Sequence, residues 1–125
     1  MFEVTIIKSF SAAHLLHEIG GKCEELHGHN FKVEVTVAAD QLNSNGLLID
    51  FRFLKKHLSE ILEEIDHKHL NSLNFFAGIN PSAENIAKYI CEEMEQKVKI
   101  SGVHVARVKI WESENAAVTY IPPKQ

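Results

Sequence analysis

The feature that most constrains the fold of this chain is a strict alternation of apolar and polar side chains between residues 29 and 39. Side chains two positions apart project to the same face of an extended strand. The apolar set consists of Phe31, Val33, Val35 and Val37, and the set between them consists of Lys32, Glu34 and Thr36. This pattern predicts a strand of an antiparallel sheet, with one face on a hydrophobic core and the other towards solvent.

Weaker alternation predicts three more strands, over residues 2–10, 103–112 and 116–121. Residues 11–28 break the pattern and hold three glycines. We therefore expect a long loop between the first two strands, and long loops in small domains often carry function.

Two segments have the spacing of amphipathic helices. Asp50 stands where a helix cap belongs, and apolar residues follow at helical spacing to about residue 65. A second helix is expected to begin at residues 80–82, with Pro81 in its first turn, and to end before Gly102. Residues 66–80, between the helices, are expected to form a connector.

The predicted order of elements is ββααββ, within one domain over residues 1–125. This order favours an α+β fold, in which two helices cover one face of an antiparallel four-stranded sheet. The other face and both sheet edges then lack cover, and unpaired edges invite pairing with another chain. We therefore expect a homo-oligomer in which several sheets close into a barrel.

Charge and composition exclude several classes of function. Thirteen Lys and Arg residues against 17 Asp and Glu residues give a net charge of −4, which argues against a nucleic-acid partner. No apolar run is long enough to span a membrane, and an acid at Glu3 is not typical of a secretory signal. With only Cys23 and Cys91, the chain has no disulfide framework, so a cytoplasmic location is expected.

A cluster of histidines indicates a metal site. His27 and His29 are two positions apart and can aim their imidazoles at one point, and we expect Gly28 to leave room for a metal between them. If the first two strands pair as a hairpin, His14 comes close to both. Three histidines with one vacant position are typical of catalytic zinc, whereas Cys23 as a fourth ligand would make a closed structural site.

Six short motifs follow one another over nearly the whole chain. They are Phe10-Ser11-Ala12-Ala13-His14, Cys23-x-x-x-His27-Gly28-His29, Leu48-Ile49-Asp50-Phe51, Asp66-His67-Lys68-His69-Leu70-Asn71, Asn80-Pro81-Ser82-Ala83-Glu84-Asn85 and Trp111-Glu112-Ser113. In this order they resemble the 6-pyruvoyl-tetrahydropterin synthase superfamily. The spacing of three residues between Cys23 and His27 is similar to its 6-carboxy-tetrahydropterin synthase branch, since the pyruvoyl branch typically has a longer gap.

The resemblance implies the tunnelling fold, in which subunits join their sheets into a barrel, often as a homohexamer built as a dimer of trimers. It implies 7,8-dihydroneopterin triphosphate as substrate. The implied products are 6-carboxy-5,6,7,8-tetrahydropterin, acetaldehyde and triphosphate, which makes the enzyme a carbon–carbon lyase. The pathway leads to 7-deazaguanine compounds and queuosine.

The resemblance also implies a role for each site residue, with sites completed by a neighbouring subunit. The zinc ligands are His14, His27 and His29, the catalytic set is Cys23, Asp66 and His67, and the pterin contacts are Glu112 and Ser82. Ser82-Ala83 offers one hydroxyl where some relatives have two. Three alternatives stay open: triphosphate elimination to 6-pyruvoyl-tetrahydropterin, a structural zinc module with Cys23 as fourth ligand, and an Asp66-His67 pair that only closes a helix.

Overall fold

A computed structural model of the protein describes residues 1–17, 21 and 25–124. Five strands form one mixed sheet, with strand order β3-β1-β2-β4-β5, and two helices pack against it. The elements are β1 (Phe2–His14), β2 (His27–Ala39), α1 (Phe51–Glu63), β3 (Lys68–His69), α2 (Ala83–Val98), β4 (His104–Ser113) and β5 (Ala116–Tyr120). The predicted α+β class, with two helices on one sheet face, is confirmed.

The core lies between the helices and one face of the sheet. The four apolar residues of β2 that set the sequence alternation are all completely buried. The helices contribute their apolar stripes, of which Leu54, Leu58, Ile86, Ile90 and Met94 are completely buried. Each helix begins at the expected cap: Asp50 accepts a hydrogen bond from the Arg52 N–H, and Ser82 from the Asn85 N–H.

The predicted loop over residues 11–28 is wrong at both ends. β1 continues to His14 and β2 begins at His27, so the two strands pair without interruption from Phe2 opposite Ala39 to His14 opposite His27. Ala12 and His14 are buried, so the alternation continues there. Alanine is only weakly apolar and histidine is polar, so the alternation at Ala12 and His14 is not recognisable in the sequence.

A fifth strand also departs from the predicted four-stranded antiparallel sheet. Within the expected connector, Lys68 and His69 pair parallel to Ala12 and Ala13 at the free edge of β1. Both residues of β3 are exposed, and two residues are too few to show any periodicity. In the described portion of the chain, neither helix is long and apolar enough to cross a membrane.

Candidate metal centre

The register of β1 and β2 assembles three histidines at one end of the sheet. His14 lies directly opposite His27, and Ala12 lies opposite His29. All three imidazoles are on the face of the sheet that carries the core, because they share the strand parity of the buried Phe31. One ring nitrogen from each histidine lies within 4.8 Å of the others, so the three can form a metal site.

The three imidazole rings pack edge to face against one another, and two of them also pack against the ring of Phe31. The centroid of the His14 ring is 4.5 Å from that of His27 and 5.4 Å from that of His29, and His27 and His29 are 4.7 Å apart. Phe31 lies below, with its ring centroid 5.7 Å from His14 and 5.4 Å from His29. His14 is completely buried, whereas the other two histidines are half-buried, so the cluster opens on one side.

Backbone carbonyls set the tautomers of two rings. The Nδ1 of His14 donates to the Pro81 carbonyl at 2.7 Å, and the Nδ1 of His27 donates to the Glu25 carbonyl at 2.8 Å. A carbonyl only accepts, so each Nδ1 carries the proton and each Nε2 keeps a free lone pair. This arrangement orients metal-binding histidines in general.

The Nε2 of His14 supplies a test of whether these residues fit a metal. This atom is buried and has no hydrogen-bond partner among the described residues. Leaving such a group unsatisfied costs about 1–3 kcal/mol, and coordination to a cation would satisfy it. Burial also lowers the pKa of His14 below its ordinary value, against the opposing effect of the Pro81 carbonyl bond. The neutral form that metal binding requires is therefore favoured.

Glu112 and Ser82 line one cavity beside the histidines. The Oε1 of Glu112 lies 3.6 Å from the Nε2 of His14, and the Glu112 side chain is 34% exposed. The cavity has a volume of about 230 Å³ and is also lined by Leu16 and by the first residues of α2. Ser82 is already engaged as the helix cap, since its Oγ accepts from the Asn85 N–H at 3.2 Å.

Asp66 and His67 form a pair at the edge of β1. The Nδ1 of His67 lies 3.0 Å from the Oδ1 of Asp66, and this oxygen accepts a hydrogen bond from the Ser11 N–H at 2.9 Å. His67 has a φ of +58°, in the left-handed region that non-glycine residues rarely adopt, and its N–H donates to the Ser11 carbonyl. Its side chain is 81% exposed and has no described contact with the three-histidine cluster.

Cys23 lies outside the described residues. Cys91 is buried in α2, and burial raises the pKa of its thiol to about 11, so this cysteine is a core residue.

The expectation for Gly28 is wrong. Strand alternation places Gly28 on the face opposite to His27 and His29, so it makes no room for a metal between them. A Cβ at this position would meet the Ala12 carbonyl at 3.7 Å, which is an ordinary contact.

Sequence reasoning missed the carbonyls of Pro81 and Glu25, which orient the rings. No side-chain pattern marks a carbonyl. The sequence feature that indicates the position of Pro81 is the Asn80-Pro81-Ser82 motif.

Comparison with known proteins identifies a family. The family described as 6-pyruvoyl tetrahydropterin synthase matches residues 3–123. The chain is 36% identical to the 6-pyruvoyl tetrahydrobiopterin synthase of Homo sapiens over 126 residues, covering 90% of this chain and 86% of that protein. It is 37% identical to the 6-carboxy-5,6,7,8-tetrahydropterin synthase of Synechocystis sp. over 122 residues, covering 93% and 90%.

The solved structure of the Caenorhabditis elegans 6-pyruvoyl tetrahydropterin synthase is similar throughout. It superposes with a TM-score of 0.88 at 29% identity, covering 98% of this chain and 96% of that one. The family resemblance and the tunnelling fold of the single chain are thereby confirmed.

Replacing His14, His27 or His29 with alanine is expected to weaken metal binding by at least about tenfold, because each removes one of three ligand nitrogens. Metal content after dialysis and competition with a chelator would measure this. His104→Ala is the matched control, since His104 is exposed and apart from the cluster. Equal metal retention in all four variants would contradict the assignment.

Proposed function

Since this chain belongs to the 6-pyruvoyl tetrahydropterin synthase family, we propose that it is a zinc-dependent lyase that converts 7,8-dihydroneopterin triphosphate to 6-carboxy-5,6,7,8-tetrahydropterin, acetaldehyde and triphosphate. This reaction is a step towards 7-deazaguanine compounds. The observation that carries the proposal is the buried Nε2 of His14, which has no hydrogen-bond partner among the described residues, within a three-histidine cluster beside a cavity that Glu112 lines.

In this proposal His14, His27 and His29 hold zinc. Three neutral imidazoles leave the charge of the ion intact and leave one ligand position vacant. When bound, zinc supplies a Lewis acid that stabilises negative charge developing on the substrate side chain. The carbonyl bonds to Nδ1 of His14 and His27 support this role, because they keep both Nε2 atoms available.

Proton transfer falls to Cys23, Asp66 and His67. The Cys23 thiolate takes a proton from carbon, since neighbouring positive charge lowers a thiol pKa from about 8.5. His67 exchanges protons with the substrate, and the Oδ1 of Asp66, which lies 3.0 Å from the Nδ1 of His67, is close enough to orient the ring. The exposure of His67, and its lack of a described contact with the cluster of its own chain, support a role in the site of a neighbouring subunit.

Glu112 anchors the pterin ring. A carboxylate can accept from both N–H donors of a 2-amino-pyrimidinone edge at once. Its position between the His14 ring and the 230 Å³ cavity would bring the pterin side chain towards the metal. Ser82, at the same cavity, has a hydroxyl proton to donate to the ligand while its oxygen caps α2.

A second candidate reaction is triphosphate elimination to 6-pyruvoyl-tetrahydropterin. The human relative that carries the pyruvoyl name is 36% identical to this chain, almost the same as the 37% of the carboxy-named relative. Overall identity therefore does not separate the two reactions. The gap of three residues between Cys23 and His27 favours the carboxy branch.

Incubating the purified protein with 7,8-dihydroneopterin triphosphate is expected to release acetaldehyde and triphosphate in equal amounts with a 6-carboxy pterin. Mass spectrometry of every product measures this. A pyruvoyl pterin without acetaldehyde would support the second candidate instead. No turnover by the zinc-loaded protein would overturn both.

Replacing Cys23 with alanine is expected to leave bound zinc unchanged and to lower turnover by about 100-fold or more, the usual effect of removing a positioned base. Zinc content and rate are measured on the same sample. Loss of zinc together with loss of the fold would instead support the structural module in which Cys23 is the fourth ligand.

We also propose that copies of the chain join their sheets edge to edge, as a barrel of a homohexamer. In the described part of the chain, β1 has no strand at its outer edge before Ala12. Ser11 directs its N–H and carbonyl to this edge, so alternation places those of Thr5, Ile7 and Ser9 there as well. The last strand, β5, is antiparallel to β1 and could extend the ladder of a second copy.

Ile7→Pro is expected to shift the oligomer towards smaller species, because proline removes an edge N–H while Ile7 itself is an exposed side chain. We expect at least about a tenfold weaker association. Ile7→Thr is the control, since it keeps the N–H. Sedimentation velocity over a concentration series measures both. Identical profiles for the two variants would rule out this edge as the contact.

A further inference from the structure

Residues 15–17 follow β1 in the chain, and β3 reaches only to Ala13. Beyond this point, two asparagine side chains form hydrogen bonds to the backbone. Asn71 accepts from the Leu15 N–H at 3.0 Å and donates to the Leu15 carbonyl at 3.1 Å. Asn80 accepts from the His17 N–H at 2.8 Å and donates to the His17 carbonyl at 3.0 Å.

The side-chain amides of Asn71 and Asn80 extend the row of hydrogen bonds that other residues form along the outer edge of β1. Ser11 bonds to the Asp66 carboxylate and the His67 N–H, and the next positions pair with β3. A primary amide carries a donor and an acceptor, as a peptide group does, so each asparagine can substitute for one residue of a neighbouring strand. Odd-numbered positions of the segment are thus held as far as His17.

Holding the odd positions directs the even positions into the site. His14 and Leu16 alternate with the clamped residues, and they provide a ligand of the histidine cluster and a wall of the cavity that Glu112 lines. Asn80 is itself fixed, since its carbonyl accepts from the Asn85 side chain in the first turn of α2 at 2.7 Å. Next to it, the Pro81 carbonyl orients the His14 ring.

We propose that Asn71 and Asn80 are positioning residues, whose side-chain amides act as a surrogate strand and hold His14 and Leu16 in the site. The assignment rests on the proposed function in that it takes the histidine cluster to be a metal centre. The described hydrogen bonds of both asparagine side chains go to the backbone of Leu15 and His17, so both act through the backbone that they hold.

The test is Co²⁺ binding by Asn71→Leu and Asn80→Leu, which nearly keep the side-chain volume and remove both hydrogen bonds. We expect each variant to bind Co²⁺ about 10–100-fold more weakly, as for other groups that orient metal ligands. The visible absorption band of bound Co²⁺ should also change, because the His14 ring is less restrained. Asn74→Leu is the matched control, since Asn74 is exposed in the same segment and its side chain has no described hydrogen bond.

Two further measurements separate positioning from general stability. Asn71→Asp and Asn80→Asp keep the acceptor and lose the donor, so they should weaken Co²⁺ binding by less than the leucine variants. In the unmodified protein, the amide protons of Leu15 and His17 should exchange with solvent as slowly as those of a paired strand. This second measurement applies even if the leucine variants do not fold.

Fast exchange at Leu15 and His17 would overturn the inference, as would Co²⁺ affinity and spectrum unchanged in folded leucine variants. If the unmodified protein binds no Co²⁺ at all, the metal centre fails, and with it the proposed function. Exchange at the two amides then still decides whether the surrogate strand exists.

Discussion

The antiparallel ladder between β1 and β2 is the constraint on which the rest of the structure depends. It runs without a bulge over the full length of both strands, from Phe2 opposite Ala39 to His14 opposite His27. A slip of one residue would turn every side chain of a strand to the other face. The completely buried valines of β2 prevent such a slip, because it would expose them all. The same register that buries the core therefore brings the histidines together, so the candidate metal centre is a consequence of correct strand pairing.

Much of this arrangement could be predicted from sequence, because the core obeys simple periodicity. The apolar alternation of β2 and the helical stripes after Asp50 and Ser82 are strong local signals. His27 and His29, two positions apart in one strand, mark the histidine cluster in the sequence. The extension of β1 to His14 is not recognisable there, since Ala12 and His14 carry no strong apolar signal although both are buried. β3 and the carbonyl of Pro81 act through backbone groups, which every residue possesses and no pattern distinguishes.

Two residues at the site adopt energetically unfavourable arrangements, which the surrounding fold stabilises. The Nε2 of His14 is buried without a hydrogen-bond partner among the described residues, and His67 holds a left-handed backbone conformation. Each such feature costs on the order of 1–3 kcal/mol. It therefore persists only where several surrounding interactions hold the residue in place. For His14 that environment is the ladder on one side and the Pro81 carbonyl on the other. For His67 it is the pair of backbone and carboxylate bonds to Ser11. Both costs fall at groups suited to chemistry, and neither benefits packing.

The hydrogen-bond partners of the outer edge of β1 change along its length, and this change relates the proposed assembly to the candidate site. Within the described residues, its first half is an unpaired row of peptide groups, which suits pairing with another copy. At Ser11 the edge is closed by Asp66 and His67, and beyond Ala13 by amide side chains. Asp66 and His67, the proposed proton-transferring pair, thus lie where the open edge ends, next to the position that a second sheet would occupy in the proposed oligomer. A residue at that boundary is better placed to serve a neighbouring copy than its own histidine cluster, because its backbone is held at the edge and its side chain extends into solvent. The inner face of β1 therefore carries a ligand of the candidate metal centre, and its outer edge holds the pair that we propose to act in a site shared between copies.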